Sequence, residues 1–165
     1  MKQNIKELIV ALSEKGLLLA EMTRLLEEEQ ACMASLDLAL MEKNQQQIDK
    51  ATEGLAELSN RCQNMIDSIG SELGLAGNQT LTPIIERMGQ PESGALKIAQ
   101  NRVAEQSKTL EGALTLNRVV LEDSLKLVEG SLNFFNRILN PVDTYGNAGS
   151  MVSRRGGSRL VCKEI

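Results

Sequence analysis

A chain of 165 residues suits one domain of ordinary size. It contains no His and no Trp, only two Phe and one Tyr, so aromatics make up 2% of it. The missing imidazole excludes a Ser-His-Asp triad, a Cys-His pair and a histidine metal site, and the scarcity of rings argues against base stacking and against an all-β sandwich or barrel. Hydrophobic residues at 42% and charged residues at 24% are the proportions of a soluble globular chain. The net charge of −4 is uneven, with 14 basic and 20 acidic side chains in residues 1–140 against 4 and 2 in residues 141–165. An acidic body speaks against nucleic acid as the main partner, and the weakly basic end is too slight for a membrane or nucleic-acid arm.

The first expected helix covers residues 3–41. Ile5, Leu12, Leu19, Leu26, Met33 and Leu40 recur every seven residues, with Leu8, Met22 and Leu36 three residues after members of that series. This spacing places one apolar stripe along a helix, interrupted by Lys15 and Glu29.

A second stripe, Ile48, Ala51, Leu55, Leu58, Cys62, Met65 and Ile69, again steps by three and four and predicts a helix over 46–72. Between the stripes lies the polar stretch Glu42–Gln47, where the phase jumps. A short turn near 42–46 would make an antiparallel hairpin; a single bent helix of about 70 residues stays open, because neither Gly nor Pro marks the turn. Residues 74–91, with Gly74, Gly77, Gly89, Pro83 and Pro91, read as a linker in which Thr82-Pro83 starts one or two helical turns.

The third long helix is expected over 92–139. Its stripe is Leu96, Val103, Leu110 and Leu114, then Leu121, Leu125, Val128, Leu132, Phe135 and Leu139, and it drifts slowly as a 3.6-residue repeat does. Asn117 sits within the stripe and reads as a hydrogen-bonded core residue that sets register. Asn140-Pro141 ends the helix. The expected fold is all-α: an elongated antiparallel three-helix bundle or coiled coil over 1–140, followed by a flexible, Gly-rich tail over 141–165.

Candidate chemistry is sparse. Glu27, Glu28 and Glu29 spread around a helix and read as a solvated face rather than an acid/base pair. Cys32 and Cys62 lie in apolar stripes as small core residues, and with Cys162 they form no CxxC, which suits reduced thiols in a cytosolic protein. No calcium loop or phosphate-binding Gly loop is present. The first ten residues lack a signal-peptide core, and the longest apolar run, Leu17–Ala20, is far short of a membrane span. No enzyme activity, cofactor, metal, small-molecule substrate or membrane insertion is expected. The exception to this blandness is the tail, where Tyr145 stands alone in a Gly-rich polar segment. It either packs back on the bundle or anchors a short docking motif.

The tail, Thr144-Tyr145-Gly146 with Gly149, then Ser153, Arg155, Gly156 and Gly157, follows an amphipathic helix ending in Leu139-Asn140-Pro141. With this order of helices, and with Asn117 in the last one, the chain resembles the FlgN-type flagellar export chaperones. The resemblance implies a bacterial cytoplasmic chaperone that binds the C-terminal amphipathic helices of hook–filament junction proteins, prevents premature assembly and delivers them to the flagellar type III export gate. It implies binding through the last helix and tail. Leu121, Leu125, Val128, Leu132, Phe134, Phe135, Ile138 and Leu139 would form the client-helix face, and Tyr145 with Gly146 the export-gate contact. The rival reading is a structural coiled-coil scaffold or a homo-oligomeric bundle that buries the same stripes.

Overall fold

The computed structural model describes residues 2–75 and 80–139, together with the backbone of 143–145 and 151–153. The described residues form four helices, α1 (Lys2–Ser35), α2 (Leu38–Glu72), α3 (Leu81–Arg87) and α4 (Glu92–Leu139), and two short strands, β1 (Asp143–Tyr145) and β2 (Met151–Ser153). By its internal contacts the chain divides into Met1–Arg118 and Val119–Ile165, so the division falls within α4.

In the first unit, α1 and α2 are separate helices. The turn between them is Leu36–Asp37, earlier than the expected 42–46, and the polar stretch Glu42–Gln47 is helical. The turn is built from local hydrogen bonds. Leu36 takes a left-handed backbone at φ +55, its N–H donates to the Met33 carbonyl and the Asp37 N–H donates to that of Cys32. This is a Schellman ending with leucine in the place usually held by glycine. Asp37 then caps α2, its carboxylate accepting from the Leu40 N–H at 3.0 Å. The end of α2 repeats the arrangement with the residue type it favours: Gly74 at φ +67, with the Gly74 and Leu75 N–H groups donating to Ser71 and Gly70. α3 begins one residue after Thr80, so the expected Thr82-Pro83 start lies inside it.

The core forms two clusters along the hairpin. One joins Ile5, Leu8 and Leu12 of α1 to Cys62, Ile66 and Ile69 of α2, Ile84 of α3, and Leu96 and Ala99 of α4. The other joins Leu19, Met22, Leu25 and Leu26 to Ala51 and Leu110. The heptad series is therefore the buried stripe of α1 as far as Leu26, with Met33 partly buried. Leu36 and Leu40, in the same series, are exposed, because α1 ends before either. The helical bundle agrees with the expected all-α class, with one antiparallel strand pair added.

In the second unit, α4 runs to Leu139, and β1 pairs antiparallel with β2 in the register Asp143 to Ser153 and Tyr145 to Met151. Three residues on each side is a minimal ladder. The expected flexible tail beyond these strands lies outside the described residues.

Candidate helix-binding face

Within the first unit, α4 behaves as a core helix. Leu96, Ala99, Leu110 and Asn117 are buried, at intervals that keep them on one face of the helix. Asn117 is only 6% exposed, and its Nδ2 donates to Glu29 Oε2 at 2.6 Å. Two of the polar residues that interrupt the apolar stripes, Glu29 and Asn117, thus meet each other. Glu29 is a partner of the core and not part of a solvated face, whereas Glu28 does pair at the surface with Arg24. Asn44 is a buried polar residue that sequence reasoning passed over. It is 3% exposed, and its Nδ2 donates to the Leu25 carbonyl at 2.9 Å, tying α2 to α1.

The exposure begins before the end of the first unit, with Leu114 and Leu116 at 50% and 54%, and beyond Asn117 no described side chain of α4 is buried. All eight residues expected to form a client face are exposed, from 40% at Leu121 to 74% at Leu139. Helical geometry places Leu121, Leu125, Val128, Leu132, Phe135 and Leu139 on one stripe. Phe134 and Ile138 belong to an adjacent row that also contains Leu127, 73% exposed and missed by the sequence reading. Its signal was present, since Leu127, Ser131, Phe134 and Ile138 step by four, three and four. Val119 is likewise exposed. The two rows together cover about half of the helix circumference.

The phenylalanines shape this face. Their rings lie edge to face with centroids 5.8 Å apart. Beside them is a depression of about 400 Å³ lined by Lys126, Leu127, Gly130, Ser131, Phe134 and Phe135. A side chain at Gly130 would meet nothing within 4 Å, so the absence of a Cβ leaves the surface open there. Polar residues border this depression. Lys126 pairs with Asp123 at 3.0 Å, and that carboxylate raises the lysine's proton affinity. The arrangement offers a non-covalent surface for an apolar partner, for soluble monomers rarely expose so large an apolar patch.

Tyr145 lies in β1, paired with Met151, while Gly146 lies outside the described residues. Cys32 and Cys62 are buried free thiols. Among the described residues no group of His, Cys, Asp and Glu side chains could hold a metal ion, and no helix is long and apolar enough to cross a membrane.

In comparisons with known proteins, the family model described as "FlgN protein" matches residues 1–153. No curated protein and no solved structure matches the chain.

Proposed function

The chain belongs to the FlgN family of flagellar export chaperones, and from that premise we propose that it binds the C-terminal amphipathic helices of hook–filament junction proteins in the bacterial cytoplasm. It keeps these subunits from assembling early and presents them to the flagellar type III export gate. The observation that supports this reading is the exposed apolar face of α4 between Leu121 and Leu139. An amphipathic client helix recognises such a face through residues at three-and-four spacing.

The energetics suit reversible capture. Full burial of one large apolar side chain contributes about 1.5–3 kcal/mol, so covering six of them offers on the order of 10 kcal/mol before the cost of association. That leaves room for a complex that is stable in the cytoplasm yet released at the gate. Tyr145 and Gly146, set after the helix, are the proposed gate contact. The proposed mechanism is burial and release of a helix face, with no covalent step.

Titration calorimetry of the full chain with a synthetic C-terminal helix of a junction protein tests the reading. A one-to-one complex at micromolar concentration or tighter is expected. Absence of both heat and complex would overturn it, and a stable homo-oligomer that buries the α4 face would favour the scaffold instead.

A further inference from the structure

The apolar stripe of α4 and the strand pair belong to the same unit, and the chain that follows the pair carries what the stripe lacks. Leu121, Leu125, Val128, Leu132 and Phe135 are 40–64% exposed among the described residues. Residues 154–165 lie outside the described residues and also outside the family match, which stops at residue 153. What this segment does is therefore specific to this chain.

The strands set where the segment starts. Ser153 of β2 is paired with Asp143 of β1, only four residues beyond the end of α4 at Leu139. Along the chain Leu160 is twenty-one residues from Leu139, but across the ladder the path is four residues and then seven. The shorter path closes at a lower entropic cost. Seven residues span up to about 23 Å when extended. Phe135 lies about 6 Å back along the helix from Leu139, and Leu125 about 21 Å.

The composition of the segment complements the stripe. After Ser153 the first large apolar side chains are Leu160, Val161 and Cys162, flanked by Arg159 and Lys163. Residues 154–165 hold four basic side chains and one acidic, whereas residues 119–139 hold three acidic and two basic. Helical geometry puts Glu122 and Glu129, both exposed and two turns apart, along one edge of the stripe. An apolar run between two cations thus matches an apolar stripe edged by two carboxylates.

We propose that residues 159–163 fold back on α4 and cover its apolar stripe. Leu160 and Val161 lie against Leu125, Val128 and Leu132, with Arg159 toward Glu129 and Lys163 toward Glu122. The segment is then a competitor built into the chain, which a client helix must displace. A face that is open only part of the time binds more weakly by that fraction. The fold-back stands on this chain's own residues; its role as a competitor rests on the client-binding reading above.

The test places a nitroxide on Cys162 of the full chain, with Cys32→Ala and Cys62→Ala, and follows the α4 amide signals by NMR. Signals from Leu125 to Phe135 are expected to broaden. Leu160→Asp together with Val161→Asp should restore them, because charges are costly to bury on an apolar stripe. Absence of broadening would overturn the proposal. So would broadening that survives the double substitution, which marks a tether passing near the face. Broadening of an isotope-labelled chain by the nitroxide of a second copy would overturn it as well, by assigning the stripe to a dimer.

With the native cysteines kept, Leu160→Asp with Val161→Asp should bind the synthetic client helix about three- to tenfold more tightly, as for a face otherwise open about a third to a tenth of the time. Unchanged affinity would refute the competition, and weaker binding would make the segment part of the client site instead. If neither chain binds the client while the nitroxide contact persists, the client reading fails and the fold-back is upheld.

Discussion

Asn117 of α4 donates a 2.6 Å hydrogen bond to the Glu29 carboxylate of α1, a contact between residues 88 positions apart. It couples the helices at the point where α4 passes from buried to exposed side chains. Charge assistance makes it stronger than a neutral amide bond, and Asn117 Oδ1 has no partner to share the loss if Glu29 is removed. Asn117→Ala is expected to cost about 1–3 kcal/mol. In a double-mutant cycle with Glu29→Ala, urea denaturation should show coupling of at least about 0.5 kcal/mol. Additive effects would mean that the pair contributes only through its separate packing.

Leu36 holds a left-handed backbone that costs an L-residue about 1–2 kcal/mol, and it is 80% exposed, so its side chain recovers little of that. Leu36→Gly should stabilise the hairpin by about 0.5–1 kcal/mol, after the greater unfolded-state freedom of glycine is set against the relieved strain. The denaturation midpoint measures it. A fall in stability would show that the exposed leucine packs more than its accessibility indicates.

Two leucines separate folding from binding. Leu8 is fully buried in the core shared by all four helices, so Leu8→Ala should cost about 2–5 kcal/mol. Leu132 is half exposed, and Leu132→Ala should change stability by no more than about 0.5 kcal/mol. Client-helix affinity should show the opposite order among folded variants. Phe135→Asp, which sets a charge in the centre of the face, should weaken client binding by more than tenfold with little change in melting temperature. Unchanged affinity would move the client site away from α4.

Burial holds the Cys62 thiol above its ordinary proton affinity, opposed by Lys15 and Arg61 and reinforced by Glu14. A group whose pKa is raised on folding stabilises the native state below its unfolded pKa, and the contribution is lost as pH rises through the folded value. The unfolding free energy should therefore decline from about pH 8.5 upward more steeply in the native chain than in Cys62→Ala. A chain in which Cys62 is the only thiol should also react slowly with an alkylating reagent until it is unfolded. Fast alkylation in the folded chain would show that α1 and α2 open locally.

Tyr145→Ala tests the gate contact. Far-ultraviolet circular dichroism and client affinity are expected to stay as in the native chain, whereas binding to the purified export-gate domain should weaken. A large drop in melting temperature would assign the ring to the core instead.

The positions of these tests show where sequence reasoning succeeded. The stripe from Ile5 to Leu26 became the buried face of α1, because seven-residue spacing and helix geometry leave few alternatives. The turn was misplaced because its two signals are weak ones: an Asp cap without a neighbouring glycine, and a leucine in a conformation that leucine seldom adopts. Asn44 was passed over because a polar residue in a polar stretch carries no mark of burial until another helix lies on it.

Leu96 and Leu132 make the final distinction. Both belong to one apolar stripe of one helix, and amphipathic periodicity determines that much for each. Yet Leu96 is 0% exposed and Leu132 is 51% exposed. Periodicity is a property of the chain, while burial needs atoms from elsewhere in it. α1, α2 and α3 supply those atoms around Leu96, and only the tertiary structure reveals that Leu132 and its neighbours have been left to water.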